Sequence, residues 1–285
     1  MALNYKQLIA ASAVDLEHAY GGADTMLYAQ SVGLGRNPVD RKELSFVYED
    51  GQLLRTLPTM ATVLVPDLIP ANLGWDYTQV LHAEQRLTLF RPLPPAARVV
   101  ISKRVTDVYD LGPSRGAMIL LEAEGRLAKD DTALFGVGST VIARGDGGFG
   151  GEPGKGPAPH RAPRRPPDMS CQLSTRADQA LLFRLNGDLN PLHADPATAR
   201  AAGFPRPILH GLCTLGVACH AILKTICDYD PTLITGFDAR FSAPVLPGDT
   251  LRTDMWQDGN IVSFKCKAVE RDSLVLRYGK CTLLD

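Results

Sequence analysis

Two short polar segments of the chain carry the residue types that acid–base chemistry needs. The first, GDLNPLH (residues 187–193), places a carboxylate at Asp188 and an imidazole at His193. If a tight loop turns both groups toward one water, they can polarise it for addition or elimination. The same letters are good turn chemistry, because Asp and Asn side chains bond their own backbone. A purely structural turn therefore stays an alternative.

The second segment is His210-Gly211, which immediately precedes the apolar run LCTLGVACHAILKTIC (residues 212–227). A run that is apolar nearly all round predicts a buried helix. The first N–H groups of a helix are unpaired and partly positive, and glycine there lets a ligand approach the backbone. Gly211 is thus a candidate oxyanion donor, or simply a tight start to the helix. We expect His210 to orient or pack rather than to carry protons.

The elements around these segments follow from capping and alternation. A helix should begin at a Ser174 or Thr175 cap and end near Gly187, and a short helix should start at Asp195-Pro196. Alternating strands with hairpin turns between them are predicted at Ile234–Ala243, Thr250–Gln257, Asn260–Arg271 and Ser273–Leu284. Since no helix separates these strands, their sheet should be antiparallel.

The first half of the chain repeats this pattern. DTMLYAQSVGL (24–34) matches the spacing of DQALLFRLNGD (178–188), and the strand–turn–strand of 86–101 matches that of 239–253. Its strands are predicted at Leu87–Leu89, Arg98–Val108, Ala117–Leu127 and Leu134–Ala143. A buried helix wrapped by an antiparallel sheet is the hot-dog arrangement. We therefore predict an α+β double hot dog, with two antiparallel sheets each wrapped around a long central helix.

This alignment also predicts a division of labour between the halves. It places Leu34 opposite Asp188 and Val39 opposite His193, so the N-terminal half lacks both groups. Residues 145–168 are dense in Gly and Pro and are interpreted as a linker, with a solvated basic cluster at 160–165. The predicted domains are residues 1–144, non-catalytic and substrate-holding, and residues 169–285, catalytic.

Composition excludes several classes of protein. The formal net charge of −1 gives no basic excess for nucleic acid. The six cysteines form no CxxC pair, so a zinc site has no support and the thiols should be reduced core residues. No apolar run reaches the roughly 18 residues of a membrane span. Neither a secretory signal nor a peroxisomal C-terminal tripeptide is recognisable, so we expect a cytoplasmic protein without membrane contact.

Taken together, the motifs resemble a known family. GDLNPLH, ILHGLCTLG (208–216) and RFSAPVLPGDTL (240–251) occur in the order and spacing of the (R)-specific 2-enoyl-CoA hydratases, also called hydratase 2 or MaoC-like dehydratases. DTMLYA (24–29), HAEQ (82–85) and GGFGG (147–151) extend the resemblance to the long, two-domain form of that family.

The resemblance implies roles for eight residues. Asp188 and His193 would activate a water, Asn190 would help hold substrate or water, and the Gly211 N–H would stabilise the thioester oxyanion. The residues implied to contact substrate are Asn190, His210, Phe241, His82 and Ala83. Two positions depart from the family pattern: Ala83 stands where Gly is frequent, and Leu111 stands where a CoA-contacting Lys can occur. Arg115 is near enough in sequence to replace that Lys.

The implied activity is reversible hydration of a trans-2-enoyl-CoA to a (3R)-3-hydroxyacyl-CoA, with a medium, long or bulky acyl chain. The acyl-CoA would be the partner, and long-form members commonly pair as homodimers. No metal, nicotinamide or flavin is expected, because no matching motif is present. Two alternatives stay open: a hot-dog acyl-CoA thioesterase, and a non-catalytic acyl-CoA-binding subunit.

Overall fold

The computed structural model describes residues 5–49, 54–66 and 79–285. The strands are β1 (Ser12–Tyr20), β2 (Val80–Leu89), β3 (Ala97–Asp110), β4 (Ala117–Leu127), β5 (Ala133–Ala143), β6 (Met169–Ser174), β7 (Ile234–Phe241), β8 (Thr250–Asp258), β9 (Ile261–Ala268) and β10 (Ser273–Leu283). The α-helices are α1 (Tyr5–Ile9), α2 (Gly22–Ser31), α3 (Arg41–Leu44), α4 (Ala61–Leu64), α5 (Gln179–Phe183), α6 (Pro196–Ala201) and α7 (Gly211–Thr225).

The strands form one antiparallel sheet in the order β1-β3-β4-β5-β2-β7-β10-β9-β8-β6. Each half of the chain contributes five strands, and each half arranges its own strands in the order first, third, fourth, fifth, second. This shared order supports the internal duplication. The α+β class and the double hot-dog fold are confirmed. The predicted separation into two sheets is wrong, because β2 and β7 pair edge to edge, with Gln85 opposite Ala239.

The long helix predicted for the second half is α7, which begins at Gly211 as expected. Its residues from Cys213 to Leu223 are all buried, which explains why the run is apolar on every side. It packs closely against α2, since a Cβ added at Gly216 would lie 2.5 Å from Val32 Cγ1. In the first half the longest helix among the described residues is α2, with ten residues, and the second-half position of α7 corresponds to no helix of similar length there. Residues 67–78 lie outside the described part.

Three strands differ from the prediction. β1 and β6 were not predicted, and β2 begins at Val80 rather than Leu87. Most of β1 is exposed, so it lacks the alternation of apolar residues that marks a half-buried strand. β1 and β6 are the two edges of the sheet. In β2 the buried residues Glu84 and Gln85 are polar, which hides the strand from a hydrophobicity pattern.

Residues 145–168 contain no helix or strand, but they pack along the body of the protein. His160 Nε2 lies 2.7 Å from Ser263 Oγ, and Arg165 makes ion pairs with Asp168 and Asp258. These contacts differ from the solvated linker that the sequence indicated. The boundaries of the two domains stay a prediction.

Within the described residues, no helix combines the length and the apolar character that crossing a membrane requires.

Candidate active site

The GDLNPLH segment is a turn built by its own side chains. α5 continues through a 3₁₀ turn to Gly187, whose φ of +114° lies in the left-handed region that favours glycine. Asp188 Oδ1 accepts the Asn190 N–H at 3.1 Å, and Asn190 Oδ1 accepts the Leu192 N–H at 3.0 Å. The second bond caps a 3₁₀ turn at Pro191–His193 where the sequence predicted loop. These two hydrogen bonds within the turn thus help to set the positions of Asp188 and His193.

His193 is held in one tautomer by the backbone. Its Nδ1 lies 2.9 Å from the carbonyl oxygen of Ile208, and a carbonyl can only accept, so Nδ1 carries the proton. Nε2 is then left as the lone-pair nitrogen. The side chain is buried, and burial lowers its pKa below the usual 6.5, opposed by the bond to Ile208 and the nearby Asp188. His193 is therefore neutral at pH 7, as a general base must be.

His210 contacts both the His193 imidazole and the backbone of the loop that carries it. The rings of His193 and His210 stack with their centroids 3.8 Å apart. The Phe183 ring also packs on His210, with a centroid distance of 5.0 Å. His210 Nε2 donates to the backbone carbonyl of Asp188 at 3.2 Å. Burial, followed by the neighbouring His193, lowers the pKa of His210 to about 4. Its geometry fits the orienting role that the sequence suggested.

Asp188, His193 and His210 bring one polar side-chain atom each to within 4.8 Å of one another. Two imidazoles and a carboxylate are also a ligand set for divalent transition metals. A metal fits this arrangement poorly, because the nitrogen of His210 that lies nearest the Asp188 carboxylate, Nε2, carries the proton that it donates to the Asp188 carbonyl. A shared water, which needs only hydrogen bonds, suits the arrangement better.

Gly211 lies at the first position of α7, where helix geometry leaves the N–H groups without carbonyl partners. A Cβ at this residue would lie 3.1 Å from Phe241 Cε1, so the backbone approaches the Phe241 ring closely. That ring in turn packs on His82 of β2, with centroids 4.9 Å apart. The first half of the chain therefore reaches the same site.

His82 is a half-buried, neutral imidazole. Burial lowers its pKa to about 4, while the charge of Asp188 acts in the opposite direction, which places the two groups within electrostatic reach. Among the described residues, His82 Nε2 is buried without a hydrogen-bond partner. Such an atom is costly unless a ligand or water satisfies it. Asn190, in contrast, is exposed, and its side-chain oxygen already caps the turn.

A cavity of about 660 Å³ opens beside Phe241 and Ala83. It is lined by four cations, Arg115, Lys155, Arg240 and Arg277, and by one carboxylate, Glu84. Glu84 is paired with Arg86, at 3.0 Å, and with Arg240 across the β2–β7 seam. The cavity is therefore positively charged on balance. Leu111, the position that departs from the family pattern, lines it as an apolar side chain.

Sequence reasoning missed a second buried polar cluster, further along α7. Glu43 of α3 accepts the Tyr229 hydroxyl at 3.0 Å and the Gly35 N–H at 3.0 Å, and lies 3.8 Å from His220 Nε2. Burial opposes its ionisation, but the nearby His220 and the hydrogen bonds from Tyr229 and Gly35 outweigh burial and lower the pKa of Glu43 to about 2. These residues are far apart in the chain, and no local pattern indicates that they meet.

The N-terminal counterpart of the GDLNPLH segment keeps the turn and loses the polar groups. Gly33 has a φ of +97°, like Gly187, so the chain reverses in the same way. Leu34, opposite Asp188, is 2% exposed, and Val39, opposite His193, is 80% exposed. Neither can polarise a water.

Comparison with known proteins covers both halves. A family described as "MaoC like domain" matches residues 159–278, and one described as "MFE-2 hydratase 2 N-terminal domain" matches residues 18–145. The chain is 36% identical to enoyl-CoA hydratase ChsH3 of Mycobacterium tuberculosis, over 98% of each protein. It is 37% identical to the peroxisomal enoyl-CoA hydratase 2 of Arabidopsis thaliana, over 96% of this chain and 93% of the relative. A solved MaoC-like dehydratase from Phytophthora capsici superposes with a TM-score of 0.87 at 28% identity, over 99% and 98% of the two chains.

Proposed function

The chain belongs to the MaoC-like family in its two-domain hydratase 2 form, and we propose that it interconverts trans-2-enoyl-CoA and (3R)-3-hydroxyacyl-CoA with one active site per chain. It is a hydratase, a carbon–oxygen lyase, as its relatives are named. The observation that carries the proposal is the His193 tautomer: Nδ1 is committed to Ile208, so Nε2 is free to accept a proton beside Asp188.

The geometry supports the following course for hydration. The thioester carbonyl conjugates with the C2–C3 double bond, so C3 is electrophilic. A water held by Asp188 and His193 adds its oxygen to C3 and gives a proton to this pair. The electrons of the double bond move to the thioester oxygen, where the Gly211 N–H stabilises the charge, and the proton then goes to C2. An oxyanion donor of this kind contributes about 10²–10³-fold.

The charge of the cavity supports it as the site for CoA. Its phosphates need cations, and Arg115, Lys155 and Arg277 supply them without a competing carboxylate in ion-pair contact among the described residues. Arg115 and Lys155 would replace the lysine that can occur in the family at the position of Leu111. We assign the thioester end to Phe241, His82 and Ala83, because the ring contacts join that end of the cavity to Gly211.

No resident metal or redox cofactor is part of this proposal, because water, a base and an oxyanion donor complete the chemistry. The N-terminal half would hold the acyl chain, since Leu34 and Val39 leave it without catalytic groups of its own. We therefore propose medium, long or bulky acyl chains as substrates. The homodimer and the cytoplasmic location stay predictions, and the Arabidopsis relative is named as peroxisomal.

The test is a hydration screen with enoyl-CoAs from four carbons to sterol-sized acyl groups. Loss of the enoyl absorbance should yield the (3R) product on a chiral column, with no free thiol. Release of free CoA instead would identify a thioesterase. Tight binding without turnover would identify a binding subunit.

The acid limb of the pH–rate profile is a further prediction. A general base works when deprotonated, so activity is lost as pH falls through its pKa. Because burial lowers the pKa of His193, the midpoint of the fall in kcat/KM should lie below pH 6.5, the ordinary value for histidine. Rates measured from pH 4 to 9 in buffers of constant ionic strength test this, and an acid limb centred above 6.5 would contradict it.

A further inference from the structure

The glycine-rich linker forms one wall of the positive cavity. Residues 154–159 line it together with Arg115 and Arg277. We call residues 147–160 the strap. It contains no helix or strand, so contacts from side chains of the body must hold it in place.

The main contact is the carboxylate of Asp110, the last residue of β3. Asp110 Oδ1 accepts the N–H groups of Gly112 and Gly148, and Oδ2 accepts that of Gly150, each at 2.8 Å. Gly148 and Gly150 have φ values of +79° and +77°, which lets alternate N–H groups of the strap point at one acceptor. The Asp110 N–H also donates to the Glu152 carbonyl at 3.0 Å. We call this set of hydrogen bonds between Asp110 and the strap the Asp110 clamp.

The far end of the strap is held from the other half of the chain. Arg240 donates to the Pro157 carbonyl at 2.6 Å, and His160 bonds Ser263 at 2.7 Å. Lys155 lies between these contacts and the Asp110 clamp. Its side chain is exposed, and within residues 5–49, 54–66 and 79–285 it makes no ion pair.

We propose that the strap is part of the nucleotide site for the acyl-CoA, with Lys155 binding a phosphate of CoA and Asp110 positioning the segment that carries it. The proposal rests on the proposed function, since it names CoA as the ligand. Three cations are then available to the phosphates: Lys155 of the strap, Arg115 of the β3–β4 turn and Arg277 of β10. Asp110 does not touch substrate, and it acts through the backbone of the strap.

Two variants and two substrates test this. Lys155→Ala and Asp110→Asn should each raise KM for an enoyl-CoA by about 5- to 20-fold and leave kcat within twofold. The enoyl-pantetheine thioester has the same reacting atoms but no phosphoadenosine, and its kcat/KM should be unchanged in both variants. Asp110→Asn should also speed tryptic cleavage after Lys155 or Arg161, because a released strap fits a protease better. Lys129→Ala and Asp130→Asn, on the exposed β4–β5 turn, are the matched controls.

Equal losses on both thioesters would show a general structural effect and overturn the proposal, as would variants that match wild type on the enoyl-CoA. In either case wild-type hydration would still stand, so failure of the strap proposal is separate from failure of the proposed function. Should Asp110→Asn not fold, the Lys155→Ala comparison decides alone.

Discussion

Asp188→Asn and His193→Gln are each expected to lower kcat/KM for a trans-2-enoyl-CoA by about 10²- to 10⁴-fold. Asparagine keeps the size of Asp188 and its bond to the Asn190 N–H but removes the charge that polarises water. Glutamine can still donate to the Ile208 carbonyl but offers no basic nitrogen in place of Nε2. Steady-state hydration rates of the purified variants measure the loss.

The fold should survive both substitutions. The Asp188 side chain is 47% exposed. At His193 the losses are a buried hydrogen bond, about 1 kcal/mol, and the ring contact with His210, about 0.5–1.5 kcal/mol. Asp178→Asn and His18→Gln are matched controls at exposed positions and should keep wild-type rates. Because the pair acts on one water, the double variant should be little worse than either single one. Near-wild-type turnover by either variant would refute the assignment.

The conformation of the GDLNPLH segment was predictable because the signals for it are local. Gly187 ends a helix, Pro191 bends the chain and Asp195 caps α6, and each is a signal within a few residues. The start of α7 was predictable for the same reason, since an all-apolar run follows Gly211. Local signals cannot report which distant residues face the loop. The stacking of His210 on His193 and the approach of His82 depend on tertiary packing.

The joined sheet was missed for a similar reason. Alternation predicts a strand but not the neighbour that its edge will choose. The seam is also polar where a sheet core is usually apolar: Glu84 pairs with Arg240 across it, and Leu87 N–H donates to Asp238. Because the alternation of apolar residues is interrupted there, the predicted β2 was too short at the place where the two halves meet.

The second large effect concerns stability rather than turnover. Glu43→Ala is expected to lower the free energy of unfolding by about 3 kcal/mol or more, because it leaves the Tyr229 hydroxyl and the Gly35 N–H buried without an acceptor. Urea unfolding followed by tryptophan fluorescence measures the change. Glu122→Ala, which breaks an exposed pair with Arg104, is the control and should cost less than about 1 kcal/mol.

The dependence of this effect on pH separates charge from packing. Folding lowers the pKa of Glu43 from 4.5 to about 2, so its ionisation favours the native state fully above the unfolded value. That contribution is lost as pH falls from about 4.5 toward 2. The stability gap between wild type and Glu43→Gln, which keeps the volume and one acceptor, should therefore narrow across this window. If the difference in free energy of unfolding stayed constant from pH 6 to pH 3, the charge of Glu43 would contribute nothing to the contact between the two halves. Glu43 would then join α3 to Tyr229 and His220 through packing alone.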